Sequence, residues 1–201
     1  MSGKYAMGIN GFGRIGRLSA RVMLEHPNCK LVGINSGSDT KYMAYQFKYD
    51  SVHGRWKGTV DVDGNDLIIN GNRIKTSQTR IPSEIKWKEM GVDYLCESTG
   101  KFLTAESAQP HIDAGVKKIV FSAPAKDNTP TIVLGVNQDD YKPEMTFVSC
   151  ASCTTNGLAP MVKVCRTLII AMLLPEQFVI FIPSLLFCRP CTTSLALKRP
   201  S

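Results

Sequence analysis

Apolar residues fall along most of the chain in short runs, separated by stretches where they return at three- and four-residue spacing. Runs of the first kind predict buried strands and the second kind amphipathic helices. Tyr5 to Ile9 predicts a strand. Ile15, Leu18 and Val22 share one stripe and predict a helix from Arg14 to His26, stopped by Pro27-Asn28. Lys30 to Asn35 predicts a second strand, and Asp39 the cap of a helix over Thr40 to Lys48. Gly58 to Ser77 predicts a β-meander, with turns at Asp63-Gly64-Asn65 and Asn70-Gly71. Ser83 is the expected cap of a short helix carrying Trp87. Strands over Tyr94 to Ser98, Lys118 to Ser122, Thr131 to Leu134 and Thr146 to Ser149 follow, with a helix from Thr104 to Ala114 closed by Gly115. Strands alternating with helices predict a doubly wound α/β domain, a mostly parallel sheet with helices on both faces, over residues 1–150. Residues 151–165 read as the start of a second, truncated domain and 166–201 as an atypical apolar tail.

The bend after the first strand sharpens this picture. Gly11, Gly13 and Gly16 form G-x-G-x-x-G between strand and helix. Gly11 allows a sharp turn, Gly13 lets a pyrophosphate approach the backbone, and Gly16 lets the helix lie close on the strand. Unpaired amides at the helix start and the helix dipole favour the negative charge. Such a loop also serves as a plain packing turn; its strand-to-helix context favours a dinucleotide site. The second strand ends in Asn35-Ser36, where an acid usually meets the ribose of NAD. A neutral pair still bonds the 2′-hydroxyl and does not repel a 2′-phosphate, so NAD and NADP are both expected.

Composition changes the picture little. The net charge is +7, of which the segment after Cys165 carries +3. The remainder is too diffuse for a nucleic-acid footprint but suits an anionic cofactor or phosphorylated substrate. Seven cysteines, an odd number, with no N-terminal signal segment, point to a reducing compartment and a cytoplasmic location.

A second motif, Ser149-Cys150-Ala151-Ser152-Cys153-Thr154-Thr155-Asn156, precedes a helical run containing Leu158, Val162, Cys165 and Ile169. A cysteine where a helix begins has its thiolate favoured and becomes a nucleophile, although many such cysteines are buried or merely cap the helix. The segments INGFGRIGR, KYDSVHG, ESTG, FSAPAKD and ASCTTN together resemble phosphorylating glyceraldehyde-3-phosphate dehydrogenase over about residues 4 to 164. The resemblance implies glycolytic oxidation of glyceraldehyde 3-phosphate with inorganic phosphate, through a cysteine thioester, in a homo-oligomer that is tetrameric in the family. It makes Cys153 the catalytic cysteine and puts Ser152 and Thr154 at substrate or phosphate positions. Gly11, Phe12, Gly13, Arg14, Ile15, Asn35, Ser36, Arg80, Thr99 and Ser122 fall at cofactor positions. Arg80 and Thr99 also admit a structural role, and His53 reads as a turn or packing residue.

The family pattern stops near Cys165. The family's second domain supplies a histidine base and a phosphate-binding arginine, whereas His26, His53 and His111 all precede Cys153. Cys150 stands where the family has Asn. The expectation is therefore retained nucleotide binding with little turnover; a non-catalytic binding or subunit-interaction module and a non-functional fragment are the alternatives. Leu168 to Cys188 is long enough to span a bilayer, but Pro175, Glu176 and Pro183 argue against it. Cys150-x-x-Cys153 and Cys188-x-x-Cys191 have zinc-type spacing, yet the first pair lies in the catalytic motif, so no metal is expected. A disulfide between Cys150 and Cys153 is the remaining reading of that pair.

Overall fold

Eight strands and five α-helices are described in a computed structural model, over residues 5–173. The strands are β1 (Tyr5–Asn10), β2 (Cys29–Asn35), β3 (Val60–Asp63), β4 (Asp66–Ile69), β5 (Asn72–Ser77), β6 (Tyr94–Glu97), β7 (Lys118–Phe121) and β8 (Phe147–Ser149). They form one sheet in the order β3-β4-β5-β2-β1-β6-β7-β8. From β5 to β8 every neighbouring pair is parallel, while β3, β4 and β5 make the antiparallel meander. The helices are α1 (Arg14–Glu25), α2 (Thr40–Lys48), α3 (Trp87–Met90), α4 (Ala105–Asp113) and α5 (Cys153–Leu173). This is the doubly wound, Rossmann-type α/β fold, in which sites form where the strand order reverses direction.

The pleat sends alternate residues to opposite faces. On β6, Leu95 enters a core with Trp87, Val116 and Phe121, while Cys96 enters another with Ile9, Leu31, Phe47 and Ile74. Both faces of a parallel sheet are thus covered, which explains apolar runs without alternation. Gly8 is required between them: a Cβ there would sit 2.6 Å from a Val92 methyl.

Several local signals act as the sequence implies. Asp39 accepts the Tyr42 amide at 2.9 Å and caps α2. Asn70 (φ 49°) and Gly71 (φ 76°) make the hairpin turn of β4 and β5. Two expectations need correction. Residues 131–134 form no strand; only Thr131 makes an isolated bridge, to Ser149. Ser83 does not cap the Trp87 helix: Pro82–Glu84 close a separate 3-10 turn and Lys86 holds the cap position of α3. Pro82 presets the backbone for that early turn.

The chain divides into two compact units, one of residues 1–131 with 143–151, the other of 132–142 with the residues from 152 on. The first holds the sheet. In the second, Lys163 Nζ on α5 donates to the carbonyls of Gly135 (2.9 Å) and Val136 (2.7 Å). Among the described residues no helix is long and apolar enough to cross a membrane. The Cys188 and Cys191 pair and most of the apolar tail lie outside the described residues.

Candidate functional site

The three motif glycines have three different reasons to be glycine. Gly11 has φ +91°, and a Cβ there would lie 2.8 Å from the Thr99 amide nitrogen. At Gly16 a Cβ would stand 2.1 Å from the Gly11 carbonyl oxygen, so α1 packs directly on the loop. A Cβ on Gly13 would meet no protein atom within 4 Å. Nothing inside the fold demands a glycine at 13, and the space beside its Cα is open. Gly13 is also the N-cap of α1, where no side chain caps the helix. The first-turn amides therefore remain available to an anion.

A cavity of about 320 Å³ opens at the carboxyl ends of the strands, in the same unit. Gly11, Asn35, Ser36, Arg80 and Thr99, all sequence-predicted, line it. Asn10, Gly37, Thr79, Lys101 and Phe102 line it as well and had not been singled out, because none belongs to a recognisable spacing. Arg14 and Ile15 occupy the first turn of α1. The Phe12 ring is buried and stacks on Phe47 at 6.2 Å, which leaves only its backbone to face outward. Ser122 follows β7, bonded through its amide to the Glu97 carbonyl, and does not line the cavity.

The Asn35 side chain is fully engaged within the protein. It donates to Asn10 Oδ1 (2.7 Å) and the Thr79 carbonyl (3.0 Å), and accepts from Ser77 Oγ (2.8 Å) and the Thr79 amide (3.2 Å). Ser36 Oγ accepts the Ser38 amide at 3.2 Å and keeps its own proton to donate. Arg80 Nε lies 4.0 Å from where a Cβ on Gly37 would be. A hydroxyl and a guanidinium, rather than a carboxylate, thus line this end of the cavity.

Arg14 pairs with Asp50 at 3.5 Å. The Asp50 side chain is 5% exposed and accepts the amides of His53 (2.7 Å) and Val52 (2.9 Å). These bonds, first His53, then Val52, with the Arg14 charge adding to them, hold its carboxyl down to about 2. A depressed carboxylate stabilises the fold above its unfolded pKa, and that contribution is lost as pH falls through the folded value. Asp50→Asn is expected to lower the melting temperature fully above about pH 4. The gap to the parent closes as pH falls to about 2. Melting curves of both proteins across this range check it, and a gap independent of pH would refute it.

In the second unit, Cys153 is the first residue of α5 and is exposed. Ser152 acts as the cap, its Oγ accepting the Thr155 amide at 3.0 Å. Ala151, just before it, has φ 64°, a costly conformation for a residue with a Cβ. Thr154 Oγ1 lies 4.0 Å from Cys153 Sγ. Burial pushes the thiols of Cys96 and Cys150 up. None of the described cysteines is in a disulfide. No cluster of three or more His, Cys, Asp or Glu among the described residues is placed to hold a metal ion.

Fold and loop together define a dinucleotide-binding α/β domain followed by a cysteine at a helix start. The family described as glyceraldehyde 3-phosphate dehydrogenase, NAD binding domain, matches residues 5–105. The chain is 66% identical over 157 residues to the chloroplastic glyceraldehyde-3-phosphate dehydrogenase of Guillardia theta, covering 78% of this chain and 41% of that one. It is 51% identical over 158 residues to the cytosolic enzyme of Trypanosoma brucei brucei, and 52% identical over 158 residues to glyceraldehyde-3-phosphate dehydrogenase A of Escherichia coli. Each of these two alignments covers 79% of this chain and 47% of the relative. The chain belongs to the glyceraldehyde-3-phosphate dehydrogenase family and carries its NAD-binding domain. It spans less than half the length of these curated relatives.

Proposed function

We propose that this chain contributes the cofactor site and the nucleophile for the phosphorylating oxidation of glyceraldehyde 3-phosphate. The observation that carries the reading is the glycine loop, with its uncapped helix and its open approach at Gly13. NAD or NADP, when bound, supplies the hydride acceptor. Cys153 Sγ bonds to the aldehyde carbon, and the carbon, once oxidised, is held as a thioester. Inorganic phosphate then displaces the sulfur and leaves as 1,3-bisphosphoglycerate. Ser152 and Thr154 are the proposed contacts for substrate or phosphate. The names of the relatives include chloroplastic and cytosolic proteins, and we place this chain in a reducing compartment of that kind, the cytoplasm.

Removal of the hydroxyl proton needs a base. His111 has both ring nitrogens in contact with buried partners, His53 Nδ1 lies 3.4 Å from Asp50, and His26 Nδ1 accepts the Asn28 amide. For a polypeptide of these 201 residues taken alone, we propose nucleotide binding with little turnover. Calorimetry with NAD⁺ tests the cofactor half: absence of binding to a folded, monodisperse sample would sink it.

Selectivity follows from Ser36 and Arg80. With no carboxylate to repel a 2′-phosphate, NAD⁺ and NADP⁺ are expected to bind within about a factor of ten, or 1.4 kcal/mol. Ser36→Asp is expected to restore a preference for NAD⁺. Parallel titrations decide it, and a hundredfold preference for NAD⁺ in the parent would assign the selection to another group.

A second reading has its own support. Leu158, Met161, Val162 and Ile169 on α5 are all more than half exposed. Such an apolar row marks a surface that associates, so a subunit-interaction module joining a homologous chain is the alternative.

A further inference from the structure

A chain of buried polar side chains crosses the sheet at one row of residues. The register sets Asn10 opposite Asn35 on one side and Glu97 on the other, and Asn35 opposite Ser77. Asn10 Nδ2 donates to Glu97 Oε2 at 2.6 Å. Glu97 Oε1 accepts both the amide (2.8 Å) and the hydroxyl of Thr99. On the other side, Trp87 Nε1 donates to His111 Nδ1 at 3.0 Å, and His111 Nε2 lies 3.5 Å from Glu97 Oε2. Trp87, His111 and Glu97 are fully buried, and Asn10 nearly so.

The direction of every bond in this chain is determined. Asn35 is bound in both senses by the backbone of Thr79, so its amide has one orientation. Its nitrogen then faces Asn10, which must present oxygen to Asn35 and nitrogen to Glu97. The indole can only donate, so His111 Nδ1 is the acceptor and Nε2 carries the proton, 3.5 Å from Glu97 Oε2 and 3.4 Å from Asn10 Nδ2. The donors of Asn10 and Thr99 converge on one carboxylate. A buried charge costs several kcal/mol to desolvate, and an apolar side chain would fill the space more cheaply. What the carboxylate adds is a defined arrangement of the residues it reaches: Thr99, Asn10 beside Gly11, and through Asn35 the Thr79 backbone beside Arg80. Each of these lines the cavity.

We infer that Glu97 is a positioning residue for the dinucleotide, setting the spacing of the loops after β1, β2, β5 and β6 through Asn10, Asn35 and Thr99. The inference rests on the dinucleotide reading of the cavity. Glu97→Gln replaces one acceptor oxygen by a donor. If the remaining oxygen keeps Thr99, the new nitrogen faces the donors of Asn10 and His111. Turning the Asn10 amide to relieve this only moves the mismatch to Asn35. Asn10→Asp in the same chain supplies an acceptor to the new amide and to His111, and leaves an oxygen for Asn35. The swapped pair gives every donor an acceptor, with the link between positions 10 and 97 reversed.

The experiment is NAD⁺ calorimetry on the parent, Glu97→Gln, Asn10→Asp and the pair Asn10→Asp/Glu97→Gln, each below its own melting temperature. Glu97→Gln is expected to weaken binding about tenfold in the parent, as one mismatched buried polar contact implies, and to tighten it in the Asn10→Asp background, where the new amide finds its acceptor. A core that had merely lost stability would melt earlier and leave the affinity of the folded protein unchanged. Unchanged affinity in folded Glu97→Gln, with a parent that binds, overturns the positioning role alone. A parent that does not bind NAD⁺ overturns the dinucleotide reading itself. Where Glu97→Gln does not fold, the pair decides: folding with an affinity above that of Asn10→Asp alone supports the inference, and a pair that misfolds or binds no better than Asn10→Asp refutes it.

Discussion

Gly13→Val leaves the sheet folded and lowers NAD⁺ affinity at least about a hundredfold, which a denaturation curve and a calorimetric titration will show together. The fold has room for the new side chain, since a Cβ at this position meets nothing within 4 Å. The lost contact is the approach of phosphate oxygens to the uncapped first turn of α1. Gly16→Ala is the converse experiment. Its Cβ would stand 2.1 Å from the Gly11 carbonyl oxygen, a backbone atom that cannot swing aside. Removing a helical glycine gains about 1 kcal/mol of propensity, while overpacking costs about 1–3 kcal/mol and more against rigid backbone. The clash therefore wins, and Gly16→Ala loses stability. If Gly13→Val bound NAD⁺ normally, the loop would be a packing turn and not a phosphate site.

The second large effect concerns Cys153. Iodoacetamide is expected to label it well before Cys96, because Cys153 is exposed and burial pushes the Cys96 thiol up. Turnover of glyceraldehyde 3-phosphate with NAD⁺ and phosphate is expected to lie about 10²–10⁴-fold below that of the E. coli relative, the usual cost of lacking a general base. The three histidines of this chain already have contacts, and each precedes Cys153 in the sequence. Nicotinamide absorbance, with Cys153→Ser as the control, measures it. Turnover near the relative's rate, abolished in the control, would show that the chain supplies a base of another kind. Labelling of Cys153 no faster than Cys96 would show that Cys153 is covered in solution and not exposed at the start of α5.

What could be read from the chain alone was local. The G-x-G-x-x-G bend, the Asp39 cap, the Asn70-Gly71 turn and the start of α5 at Cys153 each depend on residues a few positions apart, so spacing and residue type suffice. The parallel sheet was legible for the same reason, since strands buried on both faces are apolar throughout and the helices between them are periodic. Other features needed the tertiary structure. Residues 131–134 are apolar enough for a strand, yet only Thr131 finds a partner. Asn35 and Ser36 look equivalent as ribose ligands in the sequence. Only the fold shows that four internal hydrogen bonds occupy the Asn35 amide, leaving Ser36 to the cavity. Glu97, although it opens the ESTG segment, and His111 show no role in a linear reading, because their partners are remote. Asn10 and Glu97 are 87 positions apart, and Trp87 and His111 are 24 apart. The sequence by itself determined where a glycine bend joins β1 to α1 and which cysteine begins a helix. Tertiary packing decided which polar side chains bind each other and which remain for a ligand, because burial obliges a polar group to find a partner wherever the sheet brings one.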